Sequence, residues 1–141
     1  MLGKSIDQIA MGQEASFTKT ITETDVYNFG GVTGDLNPAH FNSEYAKNTM
    51  FKERIAHGML VSSLFSTVFG MQLPGPGAIY LGQEVKFTKP VYFNDTITAT
   101  VKVIEKNLEK NRVVFETTAS NQDGDVVVIG KATLMPPKKA K

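Results

Sequence analysis

Residues 57–73, HGMLVSSLFSTVFGMQL, constrain the fold more than any other stretch. Met59, Leu60, Leu64, Phe65, Val68 and Phe69 recur at helical spacing but cover more than one face, and the polar residues among them are small and uncharged. A helix that is apolar nearly all round has to be buried. Pro74-Gly75-Pro76-Gly77 ends it sharply. The segment is too short, and too interrupted by Ser62, Ser63, Ser66 and Thr67, to span a bilayer. The rest of the chain must therefore cover it.

That cover is legible as strands. Residues 15–21 alternate, and so does most of the chain after the helix. Ile79, Leu81, Val85 and Phe87 fall on one face of 78–88, Ile97, Ala99, Val101 and Val103 on one face of 96–106. Val113, Phe115, Thr117 and Ala119 do so in 111–120, and Val126, Val128, Ala132 and Leu134 in 125–135. Asn121-Gln122-Asp123-Gly124 is a hairpin turn signal. Short connections imply antiparallel neighbours. The economical packing is a curved antiparallel sheet of about five strands around a long central helix, the hot-dog topology, in one α+β domain over 1–141. Before it, 22–34 predicts a short helix capped by Thr22 or Thr24, with a stripe of Val26, Phe29 and Val32, stopped by Gly30, Gly31 and Gly34. PPKKAK, 136–141, is expected to be a flexible basic tail.

Residues 34–56 carry Pro38 and no sustained period, and such excursions inside compact domains are often functional. Phe41, Tyr45, Met50, Phe51 and Ile55 give this one anchors, so it is expected to be ordered, with one helical turn near Ser43–Lys47. Gly34-Asp35-Leu36-Asn37-Pro38-Ala39-His40 places a carboxylate, an amide and an imidazole within a few residues. One reading is a turn, since Asp and Asn bond local backbone. The other is an acid–base pair at Asp35 and His40, with Asn37 orienting water or the carboxylate. For addition of water to a double bond conjugated with a thioester, the oxyanion donor would come from the free N–H groups at His57-Gly58, where the long helix begins. A metal site is disfavoured, because His40 and His57 lack ligand spacing and no other His exists.

Composition excludes other chemistry. With no cysteine there is no disulfide, thiolate metal site or Cys nucleophile, and the chain suits the cytoplasm. A net charge of +1, from 15 basic and 14 acidic residues, argues against a nucleic-acid-binding face. The N-terminus, MLGKSIDQIA, is no signal peptide, and no membrane segment is expected.

GDLNPAH followed by AHGMLVSSLFS resembles the hydratase-2 signature of the MaoC-like family, the (R)-specific enoyl-CoA hydratases that include short PhaJ-type enzymes feeding polyhydroxyalkanoate synthesis. The resemblance extends over about residues 10–135 and takes in IYLGQEVKFTKPVYFNDTITATV. It implies a hot-dog homodimer acting on an acyl-CoA thioester, by syn hydration of a trans-2-enoyl-CoA, without metal or redox cofactor. It implies that Asp35 and His40 are the catalytic pair, that Asn37 is the supporting amide, that the Gly58 N–H holds the thioester carbonyl, and that Ser66 points into the site. Phe69 is expected to line the acyl tunnel and limit chain length. Lys52, Arg54, Lys86 and Lys89 are candidate contacts for CoA phosphates. His57 reads as a neutral structural residue. Alternatives are a 3-hydroxyacyl-ACP dehydratase, a non-catalytic thioester binder, and a hot-dog thioesterase, the last opposed by the absence of Asp or Glu between Ala56 and Gln83.

Overall fold

The computed structural model describes residues 1–139. Five strands, β1 (Glu14–Thr20), β2 (Ile79–Phe87), β3 (Thr96–Asn107), β4 (Arg112–Ser120) and β5 (Val126–Met135), form one antiparallel sheet in the order β1-β3-β4-β5-β2. The alternation read from the sequence sets its inner face. Ile97, Ala99, Val101, Val113, Phe115, Thr117 and Ala119 are fully buried, because side chains two apart on a pleated strand share a face. The ladder pairs Phe17 with Ala99, and Phe115 with Ala132.

The long buried helix is present in two pieces, α4 (Gly58–Ser62) and α5 (Leu64–Met71). The break at Ser63 has a local cause: the Ser62 and Ser63 hydroxyls donate back to the carbonyls of Met59 (3.1 Å) and Leu60 (2.5 Å). Such back-bonding competes with the helical ladder and bends it. Helix α5 buries Leu64, Phe65, Val68 and Phe69 against the sheet. The helix is not buried all round, however: Met59 and Met71 are exposed.

Two strands depart from their expected parity. Val127 rather than Val126 joins Val128 in the core, because the β4–β5 pairing slips between Ala119 and Ser120. Strand β2 is an edge strand whose pairing slips between Tyr80 and Gly82, and Ile79, Leu81 and Phe87 are left exposed. A bulge reverses which residues face inward on either side of it.

Helix α1 (Glu23–Thr33) starts at Thr22, whose hydroxyl accepts the Asp25 N–H while the Asp25 carboxylate accepts the Thr22 N–H. It runs through Gly30 and Gly31 and stops only at Gly34, which takes φ +80°. Val32 is exposed rather than part of a buried stripe. Gly30 is required by packing, because a Cβ there would lie 2.3 Å from the Phe41 ring. The excursion is ordered by two short helices, α2 (Pro38–Phe41), which the sequence did not announce, and α3 (Ser43–Ala46). At the C-terminus, Pro136 and Pro137 are buried, the Asn111 side chain donates to the Pro136 carbonyl, and Lys139 pairs with Asp7. Pro136 and Pro137 are thus packed, Lys138 and Lys139 are exposed, and Ala140 and Lys141 lie outside the described residues.

Candidate active site

The segment that follows α1 is built to aim side chains. Gly34, in the left-handed conformation, turns the chain out of α1. The Asp35 carboxylate accepts the Asn37 N–H at 3.2 Å, and Asn37 Oδ1 accepts the Ala39 N–H at 3.0 Å, capping α2 with Pro38 in its first turn. Helix α2 carries His40 inward, where Nδ1 lies 2.7 Å from the Ile55 carbonyl. A carbonyl only accepts, so Nδ1 carries the proton and Nε2 offers a lone pair. Ile55 is itself held by a β-bridge to Tyr92, and the next residue, Ala56, donates to the Val91 carbonyl at 2.7 Å. The excursion is thus anchored to the scaffold just before α4.

His57 is the N-cap residue of α4 and is 2% exposed. Its ring lies against His40, with centroids 3.9 Å apart and planes 30° from parallel. Nε2 donates to the Asp35 backbone carbonyl at 3.0 Å and is 4.0 Å from the Asp35 carboxylate. One carboxylate oxygen of Asp35 and one ring nitrogen each of His40 and His57 fall within 4.8 Å of one another. A cluster of this size could suit a metal ion: His40 Nδ1 and His57 Nε2 are committed to carbonyls, and the other nitrogen of each ring keeps a lone pair.

Asp35, His40, His57 and Gly58 border a cavity of about 470 Å³, walled on its apolar side by Phe51, Met59, Phe87 and Val91. Gly58 lies in the first helical turn, where an N–H has no intrahelical acceptor. A Cβ at that position would lie 2.7 Å from the Phe87 ring, so only glycine leaves this wall undisturbed.

Residues 6–124 match the MaoC like domain. The chain belongs to the MaoC-like family. It is 51% identical to an (R)-specific enoyl-CoA hydratase of Rhodospirillum rubrum over 94% of this chain and 92% of that one. It is 38% identical to the corresponding enzyme of Aeromonas caviae, over 94% and 99%. Among solved structures, R-hydratase PhaJ1 from Pseudomonas aeruginosa superimposes with a TM-score of 0.91 at 44% identity, covering 97% of this chain and 88% of that one. The structural likeness includes β5, which lies beyond the matched domain boundary.

Within this MaoC-like chain, the residues singled out from sequence divide in two. Asp35, His40 and Gly58 meet at the cavity. Asn37 stands beside it with its side chain turned to its own backbone as a cap. Ser66 borders a neighbouring hollow with Phe29, Tyr80 and Leu81, and Met59 is common to both spaces. Phe69 lines neither. It is 1% exposed and packs edge-on against Phe115 (4.9 Å) and Tyr80 (5.1 Å), so its bulk fills the core rather than the end of this cavity.

The basic candidates also separate. Lys89 lines the cavity and pairs with Asp125 at 3.4 Å. Lys86, one position before Phe87 on β2, sits with Glu84, Glu116 and Lys131 in another hollow. Arg54 is spent on Glu23 and Tyr27 and lies over the Phe93 ring, which leaves no free fork for a phosphate. His57 is the contact that sequence reasoning missed. Its only signal was adjacency to Gly58, because nothing in the spacing puts it against His40.

Proposed function

We propose that the protein is an (R)-specific enoyl-CoA hydratase that adds water to a trans-2-enoyl-CoA. The observation that carries this is the meeting of Asp35, His40 and Gly58 at one cavity, with Gly58 in the first turn of α4. A water donating two hydrogen bonds of about 2.8 Å at a tetrahedral angle spans acceptors roughly 4.6 Å apart. One Asp35 oxygen and one His40 ring nitrogen lie no more than 4.8 Å apart, which leaves room for a single water of that span. The exposed carboxylate and the His40 Nε2 lone pair hold such a water and direct its oxygen at C3.

As the C3–O bond forms, the C2=C3 π pair shifts to C2 and onto the thioester oxygen. The Gly58 N–H donates to that developing charge, and a donor so placed contributes about 3 kcal/mol to the transition state. The pair takes one proton from the water and returns one to C2 on the same face, giving net syn addition of H and OH. All of these groups are side chains or backbone, and this reading invokes no metal or redox cofactor. Asn37 acts through the loop it caps, Lys89 stands where a CoA phosphate would approach, and the acyl chain runs past Met59 toward Ser66. A cytoplasmic setting suits a chain without cysteine. No described helix is long and apolar enough to cross a membrane.

The deciding assay follows loss of the crotonyl-CoA enoyl absorbance and determines product chirality. Formation of (R)-3-hydroxybutyryl-CoA is expected. Release of free CoA would support a thioesterase, and turnover confined to acyl-carrier-protein thioesters would support the dehydratase alternative.

Burial sets the pH dependence. Removal from water holds His40 below its ordinary value of 6.5; its hydrogen bond to Ile55 opposes this, His57 adds to it, and Asp35 opposes it. Protonated His40 has no lone pair for water, so activity is lost as pH falls through that lowered value. The acid limb of kcat/KM is expected below pH 6.5. A limb centred at or above 6.5 would contradict His40 as the proton acceptor.

The functional unit is a homodimer. Edge strand β2 presents unpaired backbone, and Ile79 (51% exposed), Leu81 (44%) and Met59 (59%) leave its surroundings apolar. Leu81→Arg is expected to halve the molar mass measured by light scattering. A wild-type protein that runs as a monomer would overturn this assignment.

A further inference from the structure

His57 carries an orphan. Nε2 donates to Asp35, but Nδ1 is buried and has no hydrogen-bond partner among the described residues. A buried acceptor without a partner costs stability. Phe29 and Phe41 also pack on the ring, at 4.8 and 5.8 Å. A phenylalanine would fill such a place without that cost, so ring packing alone does not account for a histidine.

What a phenylalanine lacks is the Nε2–H. The bond to the Asp35 carbonyl is the one hydrogen bond, among the described residues, that joins Asp35 to anything outside 33–37. Asp35 is otherwise solvent-facing, with its side chain 52% exposed. We propose that His57 is a positioning residue: it fixes the Asp35 carboxylate relative to His40 by tying down the Asp35 carbonyl while its ring backs the His40 imidazole. Because the same residue opens α4, the acid–base pair and the Gly58 N–H are referenced to one point. The proposal deepens the hydratase reading and rests on it for its kinetic part.

Two variants separate positioning from packing. His57→Phe keeps an aromatic ring and removes both the donor and the orphan. His57→Gln keeps an N–H donor at similar reach. If His57 positions Asp35, His57→Phe lowers kcat for crotonyl-CoA by about 10²-fold, because a displacement of about 1 Å costs that much. KM changes less than about threefold and Tm does not fall, while His57→Gln recovers most of kcat. Hydrogen–deuterium exchange supplies a readout independent of turnover. Peptides covering 33–37 exchange faster in His57→Phe than in wild type or His57→Gln, with the β3 and β4 core unchanged. Wild-type kcat in His57→Phe, or equal losses of activity and Tm in both variants, would overturn the proposal. So would unchanged exchange over 33–37 in His57→Phe. If the wild-type protein hydrates no enoyl thioester, the hydratase reading fails, and the exchange result still decides whether His57 holds the Asp35 segment.

Discussion

Asp35→Asn is expected to lower kcat for crotonyl-CoA hydration by about 10²–10⁴-fold while leaving the fold intact. Asn has the same shape but replaces one carboxylate oxygen by an NH₂ and carries no charge. It can still accept the Asn37 N–H through its amide oxygen, so the turn that the Asp35 side chain makes with Asn37 survives. It cannot take up a proton at neutral pH. The side chain is 52% exposed, so the change removes no buried contact, and the thermal midpoint should stay close to that of wild type. Initial rates from enoyl absorbance and a thermal melt on the same preparation check both halves. An Asp35→Asn protein with wild-type kcat would remove Asp35 from the chemistry. One that loses Tm along with kcat would mean that the residue serves chiefly to hold the turn.

His40→Ala is expected to cost a similar factor in kcat, about 10²–10⁴, and to destabilise as well. His40 is 9% exposed, donates to the Ile55 carbonyl at 2.7 Å and packs on His57, so its removal strips a partner from a part-buried carbonyl. Leaving such a group unsatisfied costs about 1–3 kcal/mol. The informative experiment is the double variant. If Asp35 and His40 hold one water between them, either single change loses that water. Asp35→Asn/His40→Ala should then fall little below the worse single variant, as groups that act as a unit do. Losses that multiply would mean that the two residues act independently and would break the one-water mechanism.

These expectations rest partly on what was legible in the sequence and partly on what was not. The strands and the apolar helix could be read because burial on a single element repeats with that element's own period. The Asp35–His40 pair could be read because six consecutive residues hold it, with Pro38 and Gly34 fixing the backbone between regular elements. The resemblance of that stretch to the hydratase-2 signature then gave the chemistry, which periodicity does not. Period alone failed at β2 and at Val126, where a bulge inverts the parity of the residues beyond it. The reading of the helix as buried all round failed at Met59 and Met71, which face outward, whereas Phe69 is inside the core as its place on the helix implied.

The sequence by itself determined the five strands, the apolar helical region and the short segment that bears an acid and a base, because those properties are carried by neighbours along the chain. Only the tertiary structure decided what stands opposite them. His57 lies far from His40 in sequence yet stacks on its ring, and the Phe87 ring from β2 closes over Gly58. The physical reason is that contacts between elements depend on how α2, α4 and the sheet pack together, and side-chain patterns report only the face each element buries.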